Sequence, residues 1–543
     1  MKHKIWIIIG IITAVAAAGL TIGILHIDRV ASETAYKQLR AAMAERSLPV
    51  TWSGLHIRVG QGTVRLDSLR MYMQTELNSG RDSAYILAEV PRIHIGHIHW
   101  GQLLRERHLH IDEIRLSRPR VAVRSVEEVL PTLLQAAHDS TRQAMPIERV
   151  SVDAIRLTDG SVRLTEAGGR QSVEADSLQA GVHGICFHFG DSSLHYCDSV
   201  YHLALSNLHY TTPDGLMRVT CKHMETADAG SMVLRSLRIA NTDRKERHAD
   251  NCGKQPATWV HGTIHEIRTS PVNIVRTLVN RRVDIGSLSV AGDSIYIYRD
   301  NHYKPRRPYP MPQEALLAID MPVHVGRVGL SLRALTAEIT EDSIHSGQFM
   351  LGRTDVTLSP LTNRAGQHVK TEVKSSLPEQ GTIHLDMDLT LNKTCDFTLA
   401  TLVEDCRMES FNRFLHSQVG IETGGYIRHL EMTCKGDNVK SEGEFCMQYD
   451  SLHIHVLKDE TPIARLSKFA GLINTFAPAV LRTHNPRSKG EEAQRYTVSG
   501  VRDPWQLFPL YLIVSPLSDG ILQTVLPPAL EKTVKKTRQE MQK

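Results

Sequence analysis

Residues Ala88–Arg124, AEVPRIHIGHIHWGQLLRERHLHIDEIRLSRPRVAVR, decide the fold because their pattern returns 174 positions later, at Gly262–Tyr298. The second copy reads GTIHEIRTSPVNIVRTLVNRRVDIGSLSVAGDSIYIY. Apolar residues coincide in register between the copies: Ile93 with Ile267, Leu104 with Leu278, Ile111 with Ile285, Ile114 with Leu288, and Leu116 with Val290. Each copy predicts a strand, a short helical turn and two further strands.

The two last strands of each copy are predicted to be joined by a turn, at Ser117–Pro119 in the first copy and at Ala291–Asp293 in the second. Internal repeats of this length indicate a stacked architecture. A chance similarity between two β-rich segments is the alternative. The helical interruption at the same offset in both copies favours a true repeat.

The composition bounds the class of protein. The 543 residues include 63 Lys+Arg against 59 Asp+Glu, and this near balance argues against a nucleic-acid partner. Hydrophobic residues make up 41% of the chain but aromatic residues only 5%, so the interior must be mainly aliphatic. Aliphatic, β-branched interiors suit strands. We therefore expect a mainly β fold with short interspersed helices.

The N-terminus predicts a membrane anchor. After MKHK, an uncharged run from Ile5 and Trp6 through Leu20 to Leu25 is long enough to cross a hydrocarbon core of about 30 Å. A cleaved signal peptide is the alternative, with Ala16–Ala18 as a cleavage region. Apolar residues continue beyond that region, which favours an uncleaved anchor. Lys2 and Lys4 then place the N-terminus in the cytoplasm and everything after Leu25 outside the inner leaflet, which in a bacterium is the periplasm.

The most regular strand is predicted at Gly381–Leu391, GTIHLDMDLTL. Its alternation puts apolar side chains on one face and polar ones on the other. The chain is also predicted to turn back between strands at two other places, Asp159–Gly160 before this strand and Gly424–Gly425 after it. The expected architecture is an elongated, antiparallel-rich sheet built from the repeated units.

Changes in the hydrophobic pattern along the chain predict four segments. Residues 1–27 are the cytoplasmic N-terminus and anchor, 28–260 and 261–460 are β-rich modules, and 461–543 are a helical segment with a basic tail. The apolar run at Trp505–Val525 contains Pro509 and Pro516, which disfavour a second membrane span. An interfacial helix or a helix that covers a sheet is expected there.

Eight cysteines permit disulfides in an oxidising compartment. If Asp191–Ser192 form the centre of a hairpin turn, Cys186 and Cys197 lie opposite each other on its two strands. We therefore predict a disulfide between Cys186 and Cys197.

Catalytic motifs give no positive signal. The chain has no G-x-S-x-G, H-E-x-x-H or phosphate-loop sequence. His94, His97, His99, His108 and His110 crowd one region, but alternation with isoleucines assigns them to the solvated face, and no metal site is predicted. Asp386 and Asp388 are likewise interpreted as solvated-face residues rather than a glycosidase pair. We therefore expect no enzyme, no cofactor and no metal.

The pattern resembles the AsmA/TamB-like envelope proteins of Gram-negative bacteria. The likeness is carried by the N-terminal anchor, IHWGQLLRERHLHIDEIRLSRPRVAV, MPIERVSVDAIRLTDGSVRL and a C-terminal block that begins FNRFLHSQVGIETGGYIRHLEMTCKGDNV. The resemblance implies a periplasmic β-rich body, anchored in the inner membrane, whose sheet curls into a groove with an apolar lining. It also implies phospholipid transport and a contribution to envelope integrity, with phospholipid and other envelope proteins as partners.

Candidate groove residues are the apolar positions of the repeat and of the most regular strand: Ile111, Ile114, Leu116, Ile285, Leu288, Val290, Ile383, Leu385, Met387, Leu389 and Leu391. A structural or scaffolding envelope protein with a self-packed β-sandwich and no lipid cargo is the alternative. Alternation alone does not separate an open trough from a packed sandwich.

Overall fold

The computed structural model describes residues 32–37, 40, 50–76, 83–124, 149–166, 172–188, 201–227, 230–272, 282–340, 346–457, 482–486, 490–507 and 510–525. The fold is mainly β, with a large curled sheet of stacked strands. The chain divides into two compact units: unit 1 comprises Met1–Arg238 and Pro271–Asn280, and unit 2 comprises Ile239–Ser270 and Arg281–Lys543. The predicted module boundary at residue 260 falls inside a strand of unit 2.

Unit 1 contains ten strands and a short helix within its described residues, preceded by a helical segment at residues 32–37. The elements are β1 Val50–Thr51, β2 Gly54–Arg58, a 3-10 turn Val59–Gln61, β3 Thr63–Glu76, β4 Ser83–Ile98, α1 Trp100–Glu106, β5 His108–Ser117, β6 Arg120–Arg124, β7 Arg149–Thr165, β8 Ser172–His188, β9 Tyr201–Thr211 and β10 Met217–Thr226.

The pairing in unit 1 is antiparallel except at one place. Strand β3 pairs with β1, β2 and β4, and β4 pairs with both β5 and β6. Strands β5 and β6 lie parallel to β7, after which β7, β8, β9 and β10 pair antiparallel in succession. The helix α1 confirms the helical turn predicted in the first repeat copy.

A line of residues with left-handed backbone crosses the unit 1 sheet. These residues lie at one level, on β3, between β5 and β6, and on β7, β8 and β9: Ser68, Arg118, Asp159, Ser177 and Asn207, with φ between 49° and 60°. An extra residue in a left-handed conformation bulges a strand and bends it. We name this line the crease, and on β7, β8 and β9 it coincides with shifts in the strand register.

The crease corrects the predicted turns in unit 1. The chain does not reverse at Asp159–Gly160, because β7 continues from Arg149 to Thr165. It does not reverse at Ser117–Pro119 either, since β5 and β6 run in the same direction along β4. Aspartate tolerates left-handed backbone, so the same residue that favours a turn also serves a bulge inside a strand.

Strand β11, Ser231–Asn241, contains the boundary between the units. Unit 2 continues with a 3-10 turn Lys245–Arg247, α2 His248–Asn251, β12 Ala257–Pro271, β13 Val283–Asp300, α3 Pro312–Leu317, β14 Val323–Thr340, β15 Ser346–Leu351, β16 Thr354–Ser359, β17 Leu361–Thr362, β18 His368–Ser376, β19 Thr382–Thr390, β20 Phe397–Arg407, a 3-10 turn Met408–Phe411, α4 Asn412–Val419, β21 Ile421–Gly436, β22 Lys440–Val456, β23 Arg495–Val501, a π-helical turn Leu510–Val514 and α5 Ser515–Val525.

The predicted repeat is visible in the strand pairing. In the first copy Ile93 lies opposite Leu116, and in the second copy Ile267 lies opposite Val290, the positions 174 residues further on. The last strand of each copy is followed by a parallel neighbour, β7 in unit 1 and β14 in unit 2. The turn predicted at Ala291–Asp293 is wrong, because β13 passes through it without a break.

The rest of the unit 2 sheet is antiparallel. Strands β15, β16 and β17 pair with β14, and β16, β18, β19, β20, β21, β22 and β23 follow one another across the sheet. The strand predicted at Gly381–Leu391 is confirmed as β19. The hairpin predicted at Gly424–Gly425 is wrong, since both glycines lie inside β21, where Gly425 has a φ of 128° beside a register shift.

No helix among the described residues is long and apolar enough to cross a membrane. The predicted anchor, with Ile5, Trp6, Leu20 and Leu25, lies outside the described residues.

Candidate functional site

An apolar row crosses the unit 2 sheet from one strand to the next. Side chains directly opposite each other on paired strands share a face. The registers join Leu288 of β13, Val328 of β14, Leu358 of β16, Thr371 of β18, Met387 of β19 and Leu399 of β20. The second repeat copy and the regular strand β19 therefore contribute to one continuous surface.

A second apolar row runs beside the first. It joins Val290, Leu330, Val356, Val373 and Leu385 through the same strand pairs. Residues two apart on a strand share a face, so both rows belong to one side of the sheet, which we name the apolar face. Seven of the predicted groove residues lie on these rows or continue their faces: Ile285, Leu288, Val290, Ile383, Leu385, Met387 and Leu389.

One part of the apolar face is closed by other elements. Leu389 and Leu399 are only 3% and 2% exposed, and Leu391 is fully buried. They share a packed core with Phe445 and Val498, against which Leu316 of α3, Leu512, and Leu517 and Ile521 of α5 are packed. A Cβ at Gly520 would lie 2.2 Å from Cγ of Phe445, so α5 lies directly against the sheet. We name this part, on β19–β22, the closed stretch.

The helix α5 thus covers a sheet, which is one of the two arrangements expected for Trp505–Val525. Its contacts are with β22 and β23. The glycine at position 520 permits this close approach, since any larger residue would meet the ring of Phe445.

The other part of the apolar face is less covered. Ile285, Leu288 and Val290 of β13, Leu330 of β14 and Val356 of β16 are partly exposed, whereas Val328, which lies between Leu288 and Leu358 on the first row, is buried. Within the described residues they belong to none of the packed cores. We name this part the open stretch, and it contains three of the predicted groove residues.

The remaining predicted groove residues lie in packed interiors. Ile111, Ile114 and Leu116 belong to the core of unit 1 together with Ile93 and Leu109. Ala35, Tyr36 and Trp100 pack against the same core, so the helical segment at residues 32–37 and α1 help to close it. Leu391 belongs to the core of the closed stretch. Ile383, Leu385 and Met387, which lie on the apolar face, are partly buried against that core.

A polar network lies on the strands that carry the open stretch. Lys245 Nζ donates to Tyr296 Oη at 2.9 Å and to both carboxylate oxygens of Glu338 at 3.2 Å. Ser346 Oγ and Gln348 Nε2 also donate to Glu338, at 2.5 and 3.1 Å. Burial alone would raise the pKa of Glu338, but these hydrogen bonds together lower it. A buried carboxylate with this many donors is held in its charged form.

The polar face of unit 1 carries a basic cavity of about 1530 Å³ beside the helical segment at residues 32–37. Six cationic side chains and one acidic one, Glu33, line this cavity. The cations are Lys37, Arg40, Arg58, Arg65, Arg92 and Arg115. Asp67 neutralises part of this charge through Arg65 at 2.9 Å, and Glu113 does so through Arg115 at 2.8 Å. The remaining positive charge suits an anionic group.

The structure confirms the solvated face predicted for the histidines of the first repeat, since Ile93, Ile95 and Ile98 are buried while His97 and His99 are exposed. It also adds carboxylates that the sequence interpretation did not supply. Asp112 lies 2.6 Å from His99 Nε2, and Asp153 lies 3.2 Å from His110 Nε2.

Asp386 and Asp388 also lie on the polar face, and each contacts a histidine. Asp388 Oδ1 is 2.9 Å from His368 Nδ1, and Asp386 Oδ2 is 3.6 Å from His384 Nε2.

The cysteines that the structure describes form no disulfide with one another. Cys186 is buried on β8, and Arg149 Nε donates to its Sγ at 3.2 Å. Cys197 lies outside the described residues, so the pairing of Cys186 with Cys197 stays a prediction. Burial raises the pKa of Cys406 to about 12 and that of Cys434 to about 11, which makes both thiols unreactive.

No family model, no curated protein and no solved structure matches this chain.

Proposed function

We propose that this chain holds or conducts lipid along the apolar face of unit 2. In this proposal it is an inner-membrane-anchored periplasmic protein of the AsmA/TamB-like kind, which contributes to phospholipid transport and to the integrity of the outer membrane. The observation that carries the proposal is the continuous pair of apolar rows, part of which is only partly buried.

The physical argument concerns the open stretch. Apolar side chains that water reaches gain free energy when an acyl chain covers them, at about 0.8 kcal/mol per buried CH₂. Exposed apolar surface arranged as a continuous band indicates an interaction site more strongly than scattered apolar residues do. Unit 1, considered by itself, carries a basic cavity that suits phosphate, because arginine recognises phosphate groups, and phospholipids carry this group.

The test is the double variant Leu288→Asp with Val290→Asp. Both residues lie on the open stretch and are partly exposed, so the new carboxylates can reach water and the fold should survive. We expect the phospholipid that copurifies with the detergent-solubilised chain, measured by mass spectrometry, to fall well below that of the wild type.

A matched control lies on the same strand. Ser287→Asp with Ser289→Asp adds the same two charges at exposed positions of the opposite face. This control should keep the lipid content and the melting temperature of the wild type. Equal lipid contents in both double variants would contradict the proposal.

A scaffolding protein without lipid cargo is the second candidate. The closed stretch favours it, because α3 and α5 fill that part of the apolar face with the chain's own side chains. Wild-type protein that carries no phospholipid and accepts none from vesicles of inner-membrane lipid would support this candidate over the first.

A further inference from the structure

Three histidines and two aspartates converge on the polar face of unit 1. His97 and His99 lie at the end of β4, His110 and Asp112 on β5, and Asp153 on β7. His99 Nε2 is 2.6 Å from Asp112 Oδ1, and His110 Nε2 is 3.7 Å from the same oxygen. The other carboxylate oxygen of Asp112 lies 3.7 Å from His97 Nδ1.

The backbone explains this convergence. His97 has a left-handed φ of 54°, which interrupts the alternation of β4. Ile98 is therefore buried in the core although it lies three residues, not two, after the buried Ile95. The side chains of His97 and His99 consequently project near Asp112, which lies opposite on β5. The parallel pairing of β5 with β7 then brings Asp153 within 3.2 Å of His110 Nε2.

The spacing of these atoms is close to that of a metal site. One ligand atom each from His99, His110 and Asp112 lies within 4.8 Å of the others. In a tetrahedral zinc site with bonds of about 2.0–2.1 Å, neighbouring ligand atoms stand about 3.3–3.4 Å apart. Small side-chain rotations are therefore sufficient to bring the three ligands to one ion. Imidazole and carboxylate together suit zinc among the common divalent ions.

A second His and carboxylate cluster in unit 2 provides an internal contrast. Glu372, His384 and Asp386 also meet the distance condition. However, Lys374 Nζ lies 2.5 Å from Glu372 Oε1, so a cationic side chain is already present where a metal would have to bind. Within the part of the chain that the structure describes, the contacts of Asp112 are all with histidine nitrogens.

We propose that His99, His110 and Asp112 bind one divalent zinc ion, with His97 and Asp153 as neighbours that replace or orient a ligand, and with water at the remaining position. The ion would connect β4, β5 and β7 on the face opposite the unit 1 core. This site does not depend on the proposed lipid function.

The experiment uses the full chain in detergent after removal of metal with a chelator. Zinc chloride is titrated by calorimetry, and cobalt is added separately to observe the visible absorption of a tetrahedral site. We expect one ion per chain and a higher melting temperature with zinc. His99→Gln with Asp112→Asn should weaken zinc binding at least about 10-fold, since even partners behind metal ligands contribute 10–100-fold.

The control variant is His384→Gln with Asp386→Asn, which should bind zinc as the wild type does. A wild type without saturable zinc binding, binding unaffected by the first double variant, or binding lost only in the control would each overturn the proposal. Zinc protection of wild-type histidines from diethylpyrocarbonate provides a second measurement that needs no variant. His99 and His110 should be protected while His384 reacts, and equal reactivity of all three would contradict the site.

Discussion

The closed and open stretches of unit 2 have the same sequence pattern and different environments. Leu389 and Leu399 are almost fully buried in the closed stretch, whereas Leu288 and Leu330 are partly exposed in the open one. Both pairs alternate with polar residues on strands of the same sheet. Alternation therefore determines which side of a sheet is apolar, and the elements packed on that side determine whether water or ligand can reach it.

The largest expected difference concerns truncation of one leucine in each stretch. Leu389→Ala should destabilise the fold by about 2–5 kcal/mol, because it leaves a cavity in a packed core. Leu288→Ala should cost about 1 kcal/mol or less, since its side chain is partly solvated in the folded chain. Urea unfolding of the two variants measures the difference, and equal losses would show that the two stretches are packed alike.

Displacement of the covering helix should open the closed stretch. Gly520→Val places a branched side chain where even a Cβ meets the ring of Phe445 at 2.2 Å, so α5 must move, at a cost of about 1–3 kcal/mol. We expect a lower melting temperature and more binding of an apolar fluorescent dye.

Gly329→Val on β14 is the matched control, because a Cβ there meets no atom within 4 Å. It should leave the dye signal unchanged. If Gly520→Val binds no more dye than this control, α5 does not act as the cover of the closed stretch.

The third expected difference is a pH dependence confined to the strands of the open stretch. Hydrogen bonds lower the pKa of Glu338 in the folded chain, so its contribution to stability is present above the pKa of an unfolded glutamate, about 4.3, and is lost as pH falls through the lower folded value. Glu338→Gln should remove this acid dependence. Hydrogen exchange as pH is lowered measures this dependence in β14, which contains Glu338, and in β20, which does not. Equal loss of protection in both strands would show that the acid dependence does not originate at Glu338.

Much of this architecture could be predicted from the sequence. The alternation of Gly381–Leu391 predicted β19 and both of its faces. The repeated pattern predicted equivalent strands 174 residues apart, and the pairing of these strands recurs at that spacing. These features depend on local periodicity, which a sequence displays directly.

The wrongly predicted turns have one physical cause. Asp159, Gly160 and Gly425 are typical turn residues because they tolerate unusual backbone conformations, and a bulge inside a long strand requires the same tolerance. A sequence does not distinguish these two uses without knowledge of the neighbouring strands. The aspartates beside the histidines were missed for a related reason, since the parallel pairing of β5 and β7 brings Asp153 to His110 from 43 residues away.

The consecutive strand order of unit 2 has a consequence for folding during synthesis. From β19 to β22 each strand pairs with the strand that precedes it in the chain, so the sheet can grow as residues emerge from the ribosome. Helix α5 begins only at Ser515, after β22 has ended at Val456. At about 5–20 residues per second, β22 is synthesised several seconds before the helix that packs on its apolar side. During that interval the nascent chain is most prone to aggregate, and a chaperone that binds apolar strands would meet it then.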